Sequence, residues 1–172
     1  GIMISAQEVC DRVNKEPQAA AAELAPTSVF IITCDRPVAL ERVLESMLHN
    51  ASLSGHHEVV VVDDSRDAAN AEKNRELMER FITTTPTKGS YFGAAEQSQM
   101  LHQLVAAQPE NESAMRFLLD RTRWSNYKSY GLARSWCLLL SVGNRCIVMD
   151  DDVLCSALLA PVPQNGLGFT NG

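Results

Sequence analysis

The chain has 172 residues, 45% hydrophobic and 21% charged, with a formal net charge of −6, which suits one soluble domain with a sizeable core better than two. The acidic balance argues against a general nucleic-acid binder, since neutralising phosphates takes clustered Lys and Arg, and no apolar run approaches the ~18 residues that span a bilayer. The start, GIMISAQEVCDR, has neither the basic nor the apolar region of a signal peptide, and five cysteines without a CxxC pair point to free, mostly buried thiols rather than zinc, so a reducing, cytoplasmic location is expected.

Residues 1–26 read as a polar, Ala-rich helical arm interrupted by Pro17. Val29, Phe30, Ile31 and Ile32 then form a short continuous apolar run, as expected of a strand covered on both faces. Thr33, Cys34, Asp35, Arg36 and Pro37 follow, and Asp35 is placed to cap a helix with Pro37 in its first turn. Over 38–50, Leu40, Val43, Leu44, Met47 and Leu48 recur at helical spacing. Four valines, 59–62, make a second strand that ends in Asp63 and Asp64.

A second helix is predicted over about 71–81, with Leu77, Met78 and Phe81 inward, and a third strand over the turn-rich 83–89. Residues 94–107 and 112–120 read as two further helices, broken at Pro109. The polar, aromatic stretch 121–130 (RTRWSNYKSY) reads as a loop. Residues 131–142 place Leu132, Trp136, Leu139 and Leu140 at helical spacing, and Gly143 sits where a C-terminal cap belongs. The Gly- and Asn-rich residues 161–172 read as a loop or tail, leaving 27–160 as the folded unit.

The last strand, Cys146 to Met149, is expected to be buried and runs into Asp150, Asp151 and Asp152. Side chains alternate along a strand, so Asp150 and Asp152 share one side if the chain stays extended. Two carboxylates converging at a strand end suit a hard divalent cation, which can in turn hold a diphosphate. Strands alternating with helices predict an α/β domain with a mostly parallel sheet and helices on both faces. Ligands of such sheets sit beyond the carboxyl ends of the strands, where Asp35, Asp63, Asp64, Asp150 and Asp152 all fall.

These segments together resemble a nucleotide-sugar-dependent glycosyltransferase of the GT-A fold, close to the family 2 type. The resemblance covers about residues 27–155. It rests on TCDRP (33–37), on VVVVDDS (59–65), and on GLARSW (131–136) ahead of VMDDDV (148–153). The resemblance implies a Rossmann-like sheet of GT-A type. It also implies Mn²⁺ or Mg²⁺ on Asp150 and Asp152, the outer acids of a DxD motif. Thr33, Asp35, Arg36, Asp63, Asp64, Arg134 and Asp151 become the donor-binding set, with Asp63 near the base and ribose and Arg134 toward the phosphates. Trp124, Tyr127 and Tyr130 would flank an entrance.

The implied partners are a nucleotide-diphosphate sugar and an acceptor (glycan, lipid or protein) that the sequence does not identify. Two departures stand out. GLARSW lacks the Asn of the family's GxARxxN helix, and no Asp, Glu or His follows Asp152. No catalytic base is therefore nominated. The acceptor part is expected to be missing, and donor binding without efficient transfer is expected. Asp64, Asp67 and Glu96 are the stand-ins should transfer occur. The alternatives are a non-catalytic nucleotide-sugar-binding module and a metal-dependent nucleotidyltransferase, the latter disfavoured because TCDRP has no glycine. A phosphatase using an Asp nucleophile would need Asp-x-Asp after its first strand, where only Asp35 stands.

Overall fold

The computed structural model describes residues 25–56, 58–127 and 131–156. The expected arm up to residue 24, the tail over 161–172 and Tyr130 lie outside them. Four strands form one parallel sheet in the order β3-β2-β1-β4: β1 (Thr27–Thr33), β2 (Glu58–Asp63), β3 (Lys88–Phe92) and β4 (Arg145–Asp150). The register pairs Ile32 with Val62 on one side and with Asp150 on the other. Among the described residues five α-helices connect the strands: α1 (Pro37–Asn50), α2 (Ala68–Thr84), α3 (Ala94–Ala107), α4 (Glu112–Leu119) and α5 (Leu132–Leu140). The domain is thus α/β with a Rossmann-like sheet, as expected.

Strand alternation divides the core in two. Val29, Ile31, Val59 and Val61 meet Leu40, Val43, Leu44 and Met47 of α1 and Met78 and Phe81 of α2. Phe30, Val60 and Val62 face the other way, onto Leu101 of α3, Leu119 of α4 and Trp136 of α5. Trp136 is wholly buried and meets Phe92 edge-on at 5.1 Å. Helices therefore cover both faces, and the uninterrupted apolar runs of β1 and β2 follow from that double burial.

Several boundaries differ from expectation for local reasons. Helix α2 starts at Ala68 because the Asp67 carboxylate accepts from the Ala69 and Asn70 amides. It runs through Thr84 because the Thr83 and Thr84 hydroxyls donate to the Arg80 carbonyl within the helix. The third strand is consequently Lys88–Phe92, not 83–89. There Gly89 lets α2 approach closely, since a Cβ would lie 2.6 Å from Met78 Cε and 2.8 Å from Ile82 Cγ1.

Strand β4 is not buried as expected. It pairs with β1 alone among the described residues and leaves Ile147 and Val148 exposed. The thiols differ too: of the four described cysteines, all free, Cys34 is exposed and only Cys137 is buried. Gly143 has φ +86°, the left-handed conformation expected after a helix. No described helix is long and apolar enough to cross a membrane.

Candidate functional site

From β1 the chain steps outward to β2 and β3 with α1 and α2 on one face. It then returns through α3, α4 and α5 on the other face to place β4 on the opposite flank of β1. That reversal opens a crevice between the carboxyl ends of β1 and β4, where ligands of doubly wound sheets bind. A cleft of about 370 Å³ lies there, lined by Ile32, Thr33, Cys34 and Arg36 after β1 and by Asp64 and Arg66 after β2. Ala133 and Arg134 of α5 and Asp150, Asp151 and Asp152 complete it.

The aspartate triplet divides into one inward and two outward carboxylates. The Asp151 side chain is 5% exposed, against 54% for Asp150 and 57% for Asp152. The chain turns at Asp151, so the extended run ends at Asp150, and Asp150 and Asp152 are both exposed. Asp151 accepts from Thr33 Oγ1 at 2.7 Å and from Arg36 Nη1 at 2.8 Å, which ties β4 to the end of β1. Burial raises the Asp151 pKa, and its two aspartate neighbours add to that rise against the pull of Thr33 and Arg36. Asp150 pairs with Arg134 Nη2 at 3.0 Å, and Asp152 lies 3.5 Å from Arg36 Nη1.

The acids after β1 and β2 do different work. Asp63 is 1% exposed. Its Oδ1 accepts from the Ser65 amide at 2.7 Å, and its Oδ2 accepts from Asn74 Nδ2 at 2.9 Å and the Tyr91 hydroxyl at 2.7 Å. Burial, then the Asp63 contact, pushes the Tyr91 hydroxyl's pKa up, so it stays a donor. Asp63 thus clamps the turn after β2, and its neighbour Asp64 lines the cleft.

Asp35 does not cap α1, whose N-cap is Arg36 with no side-chain bond. It sits at φ +54°, a conformation that Asp tolerates better than most residues. Its carboxylate accepts instead from the amides of Arg66 and Asp67 at the start of α2. Burial works to raise the Asp35 pKa, but those amides outweigh it and hold the carboxyl below its usual range.

Of the residues singled out in the sequence, the fold therefore gathers Thr33, Arg36, Asp64, Arg134, Asp150, Asp151 and Asp152 at one cleft. Asp35 and Asp63 stand behind it as braces. Arg66 and Cys34 also line the cleft and were not singled out. Arg66 is placed by a side-chain hydrogen bond to the Tyr127 carbonyl, a contact across 61 positions that periodicity does not register. Burial, then the charges of Asp35 and Asp64, raises the Cys34 pKa and keeps it a thiol. Trp124 packs between Phe117 and Tyr127 in edge-on contacts, outside the cleft lining.

No group of three or more His, Cys, Asp or Glu side chains among the described residues is arranged to hold a metal ion. The residues at the cleft that could hold a hard cation are the exposed Asp150 and Asp152, two carboxylates being a donor set that Mg²⁺ completes with phosphate oxygens and water.

No protein-family model matches the chain, and no curated protein matches it. Among solved structures it is similar to S. aureus TarS, with 17% identity and a TM-score of 0.39. The matched region covers 74% of this chain and 16% of TarS. A likeness at that level adds nothing to a functional reading, which stands on the cleft itself.

Proposed function

We propose that the cleft binds the diphosphate of a nucleotide-sugar donor through a divalent cation on Asp150 and Asp152, and that the chain is the donor-binding part of a glycosyltransferase. The supporting observation is the mixture of signs on one rim. Three arginines (Arg36, Arg66, Arg134) face four aspartates (Asp64, Asp150, Asp151, Asp152) around the same cleft. Formally that lining carries one excess negative charge, which repels a diphosphate. One divalent cation reverses the sign and leaves the guanidiniums to grip the phosphate oxygens, for which their planar fork is suited.

In this reading Asp150 and Asp152 hold Mn²⁺ or Mg²⁺, which when bound acts as a Lewis acid on the departing diphosphate. Arg134 and Arg36 orient the phosphates. Asp64 faces the nucleoside side, the role first expected of Asp63. Asp151 and Thr33 fix the strand ends. The test is thermal unfolding with a panel of uridine- and guanosine-diphosphate sugars, with Mn²⁺ or with chelator. A donor at 100 times its Kd stabilises by about 2.7 kcal/mol, a shift of several degrees for a domain of this size. The shift is expected with Mn²⁺ only; an equal shift in chelator, or none with any donor, contradicts the assignment.

A donor-binding module without turnover is the second reading. Of the three stand-in bases, Asp67 is engaged as the α2 cap and Glu96 pairs with Arg75 at 2.9 Å, outside the cleft lining. Asp64 alone of the three lines the cleft. A general base must reach the acceptor hydroxyl directly or through one water. Release of nucleoside diphosphate that depends on both acceptor and Asp64 would exclude the module.

A further inference from the structure

The two carboxylates assigned to the cation already have partners. Arg134 Nη2 lies 3.0 Å from Asp150 Oδ1, and Arg36 Nη1 lies 3.5 Å from Asp152 Oδ2 while holding Asp151 Oδ1 at 2.8 Å. A cation settling between Asp150 and Asp152 competes with those guanidiniums for the carboxylates and sits beside their positive charge. A diphosphate arriving alone must draw the same arginines from their aspartates and then face bare carboxylates. Either ligand by itself breaks pairs that it does not replace. Both together exchange the outer pairs, leaving Asp150 and Asp152 on the cation and the guanidiniums on phosphate, with Arg36 keeping Asp151.

We infer that Arg36 and Arg134 are exchangeable counter-ions, held by the outer aspartates in the free protein and transferred to the diphosphate when the cation takes those carboxylates. Cation and diphosphate are thereby recognised as one complex. This rests on the reading of the cleft as a diphosphate site and adds to it a coupling between the two ligands. Coupling is reciprocal: whatever factor the diphosphate contributes to cation affinity, the cation contributes to diphosphate affinity. The two arginines differ in anchorage. Arg36 stays tethered to the buried Asp151, whereas Arg134 and Asp150 are both more than half exposed. Arg134 is therefore the freer of the pair.

The inference has an unusual sign. An arginine that only supports the fold weakens both ligands when removed, and one that only binds phosphate leaves bare cation affinity alone. An exchangeable counter-ion competes with the cation, so its removal strengthens bare cation binding and weakens diphosphate binding. The experiment compares wild type, Arg134→Gln and Arg36→Gln. Bare Mn²⁺ binding is followed by the electron paramagnetic resonance of the free ion, and binding of uridine and guanosine diphosphates at saturating Mn²⁺ by calorimetry.

Gln is a good helix former and position 134 is exposed on α5, so the Arg134 variant is expected to fold even if loss of the Asp151 partner disturbs the Arg36 variant. For Arg134→Gln, bare Mn²⁺ affinity should rise about two- to fivefold, the scale of an exposed ion pair. Diphosphate affinity should fall about tenfold or more, as for a charge-assisted hydrogen bond. Unchanged or weaker Mn²⁺ binding by Arg134→Gln, with the wild type still binding diphosphate through Mn²⁺, overturns the exchange and leaves the diphosphate reading standing. A wild type that binds neither diphosphate in Mn²⁺ overturns both.

Discussion

Asp63→Ala separates a brace from a ligand contact. Three donors converge on this carboxylate, and their fates on truncation differ. The Tyr91 hydroxyl retains the Ala71 carbonyl at 3.2 Å, and Asn74 Nδ2 retains Ser65 Oγ at 3.2 Å. The Ser65 amide loses its side-chain acceptor inside a buried turn. One orphaned buried donor costs about 1–3 kcal/mol, and two weakened hydrogen bonds to a charged group add roughly 1–2 kcal/mol more. Removing a buried carboxylate recovers part of its desolvation penalty, so the expected net loss is about 2–4 kcal/mol.

Tyr91→Phe deletes one donor and leaves two, so it should cost about 1 kcal/mol. Urea unfolding measures both, and a lower midpoint at unchanged slope reports stability rather than a changed unfolded state. Nucleotide affinity in the folded fraction should fall less than in Asp64→Ala. A loss below 1 kcal/mol for Asp63→Ala, accompanied by a tenfold or greater loss of nucleotide affinity, would refute the buried clamp and return Asp63 to the ligand.

Thr33→Val keeps the shape but removes the hydroxyl from buried Asp151; it should cost about 1–3 kcal/mol, measured by the same unfolding experiment, and weaken Mn²⁺-dependent diphosphate binding. Gly89→Ala forces a methyl against Met78 and Ile82 and should destabilise by about 1–3 kcal/mol in thermal melts without altering ligand affinity. Asp35 carries a pH signature: its folded pKa lies below the ordinary value, so its contribution is complete above the usual carboxylate range. That contribution is lost as pH falls toward the folded value, because the unfolded chain takes up the proton first. Asp35→Asn, which also tolerates positive φ, should flatten that part of the acid-unfolding curve.

The sequence made the sheet legible where burial on both faces wrote an unbroken apolar run, as in Val29 to Ile32 and Val59 to Val62. It hid β3 because an edge strand with Lys88, Gly89 and Ser90 carries little hydrophobic signal and follows a helix whose last threonines look β-prone. It also overstated the burial of β4, since four apolar residues in a row do not reveal whether the far edge of the strand is paired.

For the site, position along the chain told which acids end strands but not which way each carboxylate faces. Asp63 and Asp64 are adjacent and equally plausible in one dimension. Asn74 and Tyr91, 11 and 28 positions on, turn the first into a clamp. Asp35 likewise reads as a cap for the helix after it and in fact serves the helix after the next strand. The pairing of Arg134 with Asp150 joins residues 16 apart across a helix and a strand, and only the packing of α5 against the sheet brings them together.

The most direct test of the cleft is a crystal of the protein grown with Mn²⁺ and a nucleoside diphosphate, examined by anomalous scattering from manganese. The expected result is one manganese peak bridging Asp150 and Asp152 to the diphosphate, with Arg134 turned from Asp150 onto a phosphate oxygen. A diphosphate bound elsewhere, or bound in the cleft with no manganese on those two aspartates and the Arg134–Asp150 pair intact, would contradict it.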